Sequence, residues 1–148
     1  MQLPEIGVPW IKAKLDTGAR TSSIHAYEIT RFAKDGADWV RFRVRPWQES
    51  TEDEVVVECP VHDRRRVRSS SGHVQERYVV KMRLELLGRR VTAEVTLSDR
   101  DAMGFRMLIG RQALRRRFVV DAGSSFLGGR APRPIRRRNR GRPGESTA

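Results

Sequence analysis

The sequence holds a single cysteine, Cys59, so no disulfide can form within the chain and nothing in its cysteine usage points to an oxidising compartment. No apolar run approaches the length of a bilayer crossing, and the first residues lack the apolar stretch of a signal peptide. The expectation is a cytoplasmic protein with no membrane contact. Histidine is scarce too: His25, His62 and His73 are the full set. His-Glu-x-x-His is absent, and Cys59-x-x-His62 has no matching second pair, so no metal site is expected. His25 and His73 are read as packing or hydrogen-bonding residues. A phosphate-cradling GxxxxGK[ST] loop is also missing, which removes the usual signal for ATP, and no cofactor is expected.

Acidic residues are outnumbered, 18 against 30 Lys and Arg, for a net charge of +12. Half of that excess sits in residues 130–148, where seven arginines stand against Glu145 alone. That segment has three prolines and almost no apolar residues, so it is expected to be a disordered basic tail following one domain over residues 1–129. Arginine without interleaved aromatics suits weak, nonspecific nucleic-acid contact rather than base recognition. A second basic run, Arg64, Arg65, Arg66 and Arg68, lies inside the body.

What is abundant in the body is alternation. Val40, Phe42 and Val44 alternate with Trp39, Arg41 and Arg43; Met82, Leu84 and Leu86 with Lys81, Arg83 and Glu85; Val91, Ala93, Val95 and Leu97 with Thr92, Glu94 and Thr96. Each is the period of a strand buried on one face. The last two runs read as a hairpin around Gly88-Arg89, with a type II′ turn. Val55–Val57, Tyr78–Val80 and Phe118–Val120 are short apolar strand candidates. The one helical stretch is Arg111–Arg117. Pro46–Asp53 and Pro60–Gly72 read as irregular, the second as a mobile loop or hairpin tip. The class is mostly β with one short C-terminal helix.

The chemistry-bearing stretch is IKAKLDTGARTSSIHA, Ile11–Ala26. Ile11, Ala13 and Leu15 form one face of a strand that stops at Asp16-Thr17-Gly18, where glycine lets the backbone turn tightly. In isolation this is a capped turn. Three extended strings change that: the stretch itself, SSSGHVQERYVV (Ser69–Val80) and LIGRQALRRRFVVDAGSSFLGG (Leu108–Gly129). Together, in this order, they make the chain resemble the retropepsin-like aspartic endopeptidases, and most closely the bacterial branch labelled ATP-dependent zinc proteases. The likeness runs from about Pro4 to Gly129.

The resemblance implies a closed β-barrel with Asp16 as the catalytic carboxylate on the floor of a cleft. Thr17 would tie the floor together, Gly18 close the turn and Ala19 leave room, while Leu108, Ile109 and Gly110 pass beneath. Aspartic peptidases need two carboxylates sharing one proton. The sequence has one Asp-Thr-Gly, so the second is expected to be Asp16 of another chain in a two-fold homodimer. An internal pair with Asp121, in Asp121-Ala122-Gly123, is disfavoured because no second apolar-apolar-Gly segment follows it. Arg20 either lies near the carboxylates or points to solvent or to a partner such as Glu5. The 60–72 region, with Arg66, Ser70, Ser71 and Gly72, would act as a flap on the substrate. Relatives carry a further strand ahead of Leu3, where this sequence has only Met1 and Gln2.

Two functions follow. The first is a peptide-hydrolysing homodimer acting on a peptide or protein substrate. Branch members are often encoded near a ligase that adds glutamates to a ribosomal protein, so glutamate-rich chains are the implied substrate. The alternative is a catalytically silent peptide- or ribosome-binding module that uses its basic tail.

Overall fold

The computed structural model describes residues 1–8, 10–16, 18–47, 53–68, 72–99, 105–115 and 133–141. Among them run nine strands: β1 Ala13–Asp16, β2 Ser22–His25, β3 Tyr27–Lys34, β4 Ala37–Val44, β5 Val55–Pro60, β6 Asp63–Arg68, β7 Val74–Leu86, β8 Arg89–Ser98 and β9 Met107–Gly110. Two helices follow, α1 Arg111–Leu114 and α2 Arg133–Asn139. No helix among the described residues is long and apolar enough to cross a membrane.

The alternating runs become strands for the reason their pattern suggests. Along β4, Val40, Phe42 and Val44 are fully buried while Arg41 and Arg43 stay outside. Along β8, Val91, Ala93, Val95 and Leu97 turn inward. β7 pairs antiparallel with β8, setting Met82 opposite Ala93 and Leu84 opposite Val91. These side chains share one cluster with Ile24, Met107 and Ile109. Each large member contributes about 1.5–3 kcal/mol by leaving water, so the seam between strands is the main source of stability.

The strands form a six-stranded sheet ordered β1-β9-β2-β8-β7-β6 and a separate three-stranded sheet ordered β3-β4-β5. The expected closed barrel is therefore corrected: among the described residues the two sheets are open, with β1 and β6 as edges of the larger one. The core is closed by stacking, since Val40, Phe42, Val44 and Val57 of the small sheet pack into the same cluster as the β7–β8 residues.

Three local readings also change. The β7–β8 connection is type I′ rather than II′, because Leu86 pairs with Arg89 and the central residues Leu87 (φ 52) and Gly88 (φ 74) are both left-handed. The 60–72 region is more regular than expected: Asp63–Arg68 is β6, paired along its length with β7. Finally, Arg133–Asn139 in the basic tail is helical. Pro134 occupies the first turn, where its missing N–H costs nothing. The Arg138 guanidinium lies 5.4 Å from the Trp47 ring centre and 3.9 Å from Asp53. The expected strand at Phe118–Val120 lies outside the described residues.

Much of the body's basic charge is matched locally. Arg64 reaches Asp38 at 2.8 Å and Glu76 at 3.7 Å, and Arg65 reaches Asp63 and Glu94 at 3.0 Å each. These partly exposed pairs contribute at most about 1 kcal/mol each. They do consume most of the 64–66 run, leaving Arg66 as its exposed member without an ion pair among the described residues.

Candidate active site

Asp16 is the last residue of β1, and the register of a parallel strand pair fixes what lies beside it. β1 runs parallel to β9, with Leu15 beside Ile109 and Asp16 beside Gly110. β9 in turn lies between β1 and β2, antiparallel to the latter through Leu108–Ser23 and Met107–Ile24. Ile109 is fully buried and Leu108 half-buried. The apolar-apolar-Gly segment thus forms the bed on which the Asp16 turn rests.

The turn is held by its own backbone. Gly18 N–H donates to Asp16 Oδ1 at 3.0 Å, and Ala19 N–H donates to the Asp16 carbonyl at 3.3 Å. A Cβ at Gly18 would stand 3.2 Å from Asp16 Oδ1, so glycine keeps the carboxylate's orientation free of crowding. Helix α1 then clamps the far side: Arg111 N–H donates to Ala19 O at 2.9 Å and Gln112 N–H to Arg20 O at 3.0 Å. The Arg111 guanidinium adds a longer contact, 3.4 Å, to Gly18 O. The orphan donors of the helix's first turn therefore satisfy the loop that carries Asp16.

Three residues of this floor were not singled out from sequence. The Ser22 hydroxyl, 1% exposed, accepts from Gly110 N–H at 3.1 Å. Arg111 and Gln112 supply the clamp. Ser22 sits in the hydroxyl-rich Thr-Ser-Ser that follows the motif, and that richness was the available signal. Gly110 itself admits no side chain, since a Cβ would lie 2.5 Å from the carbonyl carbon and oxygen of Thr21.

The structure thus brings Asp16, Gly18, Ala19, Leu108, Ile109 and Gly110 together. Thr17, Ser70, Ser71 and Asp121 lie outside the described residues. Arg20 is exposed next to the turn; Glu5, named as its alternative partner, lies 3.5 Å from Arg83. Arg66 and Gly72 belong to the β6–β7 hairpin, and sheet order puts four strands between β6 and β1. At about 4.8 Å per strand, that hairpin base lies some 20 Å or more along the sheet from Asp16. His25 is buried and its ring stacks on Tyr27 at 6.2 Å.

Asp16 accepts from Gly18 N–H and meets no second carboxylate among the described residues. The residues considered for metal do not converge: Cys59 is on β5, while His62 Nε2 contacts Glu94 at 3.1 Å. No group of three metal-ligating side chains occurs among the described residues. Burial pushes the Cys59 thiol up to about 11, away from thiolate chemistry.

Known proteins are similar to this chain in sequence and in fold. A probable alpha-L-glutamate ligase of Shewanella halifaxensis (strain HAW-EB4) is 46% identical over 123 residues, which is 83% of this chain and 27% of that protein. Proteins of the same name from Desulfotalea psychrophila and Parasynechococcus marenigrum are 47% and 46% identical, over 80% and 85% of this chain and 25% and 27% of theirs. The chain therefore spans about a quarter of the length of these curated relatives. A crystal structure of a Legionella pneumophila protein of unknown function superposes with a TM-score of 0.70 and 26% identity, covering 86% of this chain and 91% of that one. The family described as retropepsin-like aspartic endopeptidase RimB matches residues 1–131, and the chain belongs to this RimB-like family.

Proposed function

We propose that the chain is an aspartic endopeptidase whose working form is a homodimer, with Asp16 of each copy facing the other across a two-fold axis. The observation that carries this reading is the clamped Asp16 turn. The Asp16 carboxylate caps its own turn through Gly18 N–H, and the backing of that turn by Gly110 and α1 holds the carboxylate at the strand end as a positioned group. A lone carboxylate does half of the chemistry. Held against a second one, the pair shares a proton, because both cannot ionise so close together. The ionised member takes a proton from water as the oxygen attacks the scissile carbonyl, and the protonated member donates to the carbonyl oxygen. The substrate class we infer is peptides bearing glutamate. Its support is that this region recurs within longer proteins named as probable alpha-L-glutamate ligases.

A second reading is a catalytically silent peptide- or ribosome-binding module: one chain brings no second carboxylate to Asp16 among the described residues, so a chain that does not dimerise would keep a lone carboxylate. The two separate on one experiment. The full chain is incubated with a glutamate-extended peptide, and products are followed by mass spectrometry with and without chelator. Cleavage that ignores chelator and disappears in Asp16→Asn supports the dyad. Mixing equal amounts of the two chains should leave about one quarter of the activity, since one dimer in four then holds both carboxylates. Activity abolished by chelator and restored by zinc would instead assign a metal-bound water. No cleavage by dimeric wild-type protein would favour the silent module.

A further inference from the structure

The elements that carry the floor hold an excess of positive charge. Residues 11–26 and 107–115 contain Lys12, Lys14, Arg20, Arg111 and Arg115 against Asp16 as their one acid. No ion pair among the described residues involves any of these five cations. The small sheet is different: there Arg41 meets Glu58 at 2.8 Å and Arg43 meets Glu54 at 2.7 Å. Charges of one sign gathered around a site raise the local concentration of oppositely charged ligands. The surroundings of Asp16 therefore favour an anion.

Among these cations, the Arg111 guanidinium is placed directly on the Asp16 turn. Its Nη1 lies 3.4 Å from Gly18 O, and the N–H of the same glycine donates to Asp16 Oδ1 at 3.0 Å. One residue thus links guanidinium and carboxylate, a span of roughly 10 Å at most, or about three residues of extended chain. The Gly18 contact is too weak to be the side chain's main task. At 3.4 Å it is longer than an ordinary N–H···O bond, and Arg111 is exposed. A guanidinium holds five N–H donors in a planar fork, so most of them are left for an acceptor from outside the chain. A carboxylate takes two in parallel and matches the charge.

We propose that Arg111 is a specificity-determining residue, binding a glutamate side chain of the substrate within about three residues of the bond that faces Asp16. This deepens the endopeptidase reading above and rests on it for the place of that bond. The Arg111 N–H is anchored to Ala19 O at 2.9 Å, so the side chain starts from a fixed backbone and less freedom is lost when the pair forms. Arg20 and Arg115, on the same loop and helix, add to the field without having to touch the ligand. A glutamine at the same substrate position keeps the shape and loses the charge.

The test uses the full chain carrying Asp16→Asn, so that binding is read without turnover. Two fluorescein-labelled peptides are compared by anisotropy, identical except that glutamine replaces glutamate in the second. The glutamate peptide should bind about tenfold or more tightly, the scale of a charge-assisted bond against a neutral one. Adding Arg111→Met should bring the two affinities within about twofold and leave the glutamine peptide as before. Arg111→Lys should keep part of the preference, since lysine retains the charge without the fork. Both variants keep the backbone N–H, and a Tm equal to that of Asp16→Asn alone verifies the fold. The arginines of residues 130–142 remain in every chain, so a glutamate preference that survives Arg111→Met belongs to them and overturns the proposal. Equal weakening of both peptides would assign Arg111 a structural role instead, and no preference or no binding before Arg111 is changed would overturn the proposal too. Turnover is read separately on the chain with Asp16 intact. Failure to cleave a bound glutamate peptide defeats the endopeptidase reading and leaves carboxylate recognition by Arg111 standing.

Discussion

Replacing Gly110 by alanine tests the architecture of the floor with one methyl group. The new Cβ would lie 2.5 Å from the carbonyl carbon and oxygen of Thr21 and 3.0 Å from the Arg20 carbonyl carbon. All three are backbone atoms, so no side chain can swing aside and the loop or β9 must move. Overpacking of this kind costs about 1–3 kcal/mol. The movement also threatens the hydrogen bond from Gly110 N–H to the buried Ser22 hydroxyl at 3.1 Å, and an unmatched buried donor costs about 1–3 kcal/mol more. The two penalties share one displacement, so a total of about 2–5 kcal/mol is expected. For a protein of this size that lowers Tm by about 5–15 °C. Calorimetric melts and urea titrations of the full chain measure it directly. Ser22→Ala provides the second arm, at about 1–2 kcal/mol, because it strips the acceptor without crowding the loop. Since both changes act on one hydrogen bond, the double variant should cost clearly less than the sum. A Gly110→Ala protein within about 0.5 kcal/mol of the parent, or strict additivity with Ser22→Ala, would refute the account of β9 as a bed pressed against residues 20–21.

Three further outcomes follow from features away from the floor. Leu87 sits left-handed and half exposed in the β7–β8 turn, so Leu87→Asn should raise stability by about 0.5–1 kcal/mol in urea titrations; a loss would mean that Leu87 packs in a way its exposure does not show. Cys59, raised to about 11 by burial, should react with iodoacetamide about a hundredfold more slowly near pH 8 than an unburied thiol, and at the ordinary rate once unfolded; equal rates in both states would contradict its burial. The hydrogen bond from Arg65, then that from His62, holds the Glu94 carboxyl below its usual range. A depressed carboxyl contributes stability above its unfolded value and loses it as pH falls through the folded one. Glu94→Gln should therefore be less stable than the parent at neutral pH, by under about 1 kcal/mol given the exposure of Arg65, and the two should converge in acid; a gap that widens in acid would reverse the sign.

How much of this was legible from sequence depends on whether the signal is periodic or tertiary. Val40–Val44, Met82–Leu86 and Val91–Leu97 declared their strands because a half-buried strand leaves a period of two in the sequence. β6 did not. Its residues Asp63–Arg68 pair with Val74–Val79, and all of them except Val67 are charged, so no apolar alternation marks it as a strand. β3 was passed over for a related reason, its mixed burial pattern, although Asp35-Gly36 marks the type I′ hairpin that joins it to β4. Closure could not be read at all, because whether β1 meets β6 is a property of sheet curvature that no local pattern encodes.

The site divides in the same way. Asp16 and the segment Leu108–Gly110 stand about ninety residues apart, and only the resemblance to a family put them together before the parallel β1–β9 register did. The glycine at 110 was legible as part of a motif, but its reason was not: it is the approach of the Thr21 carbonyl, an atom every residue owns, that forbids a side chain there. Ser22 and the first turn of α1 were missed because they act through single hydrogen bonds to backbone atoms, which ask for a hydroxyl or an N–H at one point in space and leave no spacing to detect. Sequence variation within the floor should be tolerated where a residue acts only through its backbone. Gln112 holds Arg20 through its backbone N–H, so its side chain is free of that task, whereas a proline at 111 or 112 would remove a donor on which the Asp16 turn depends.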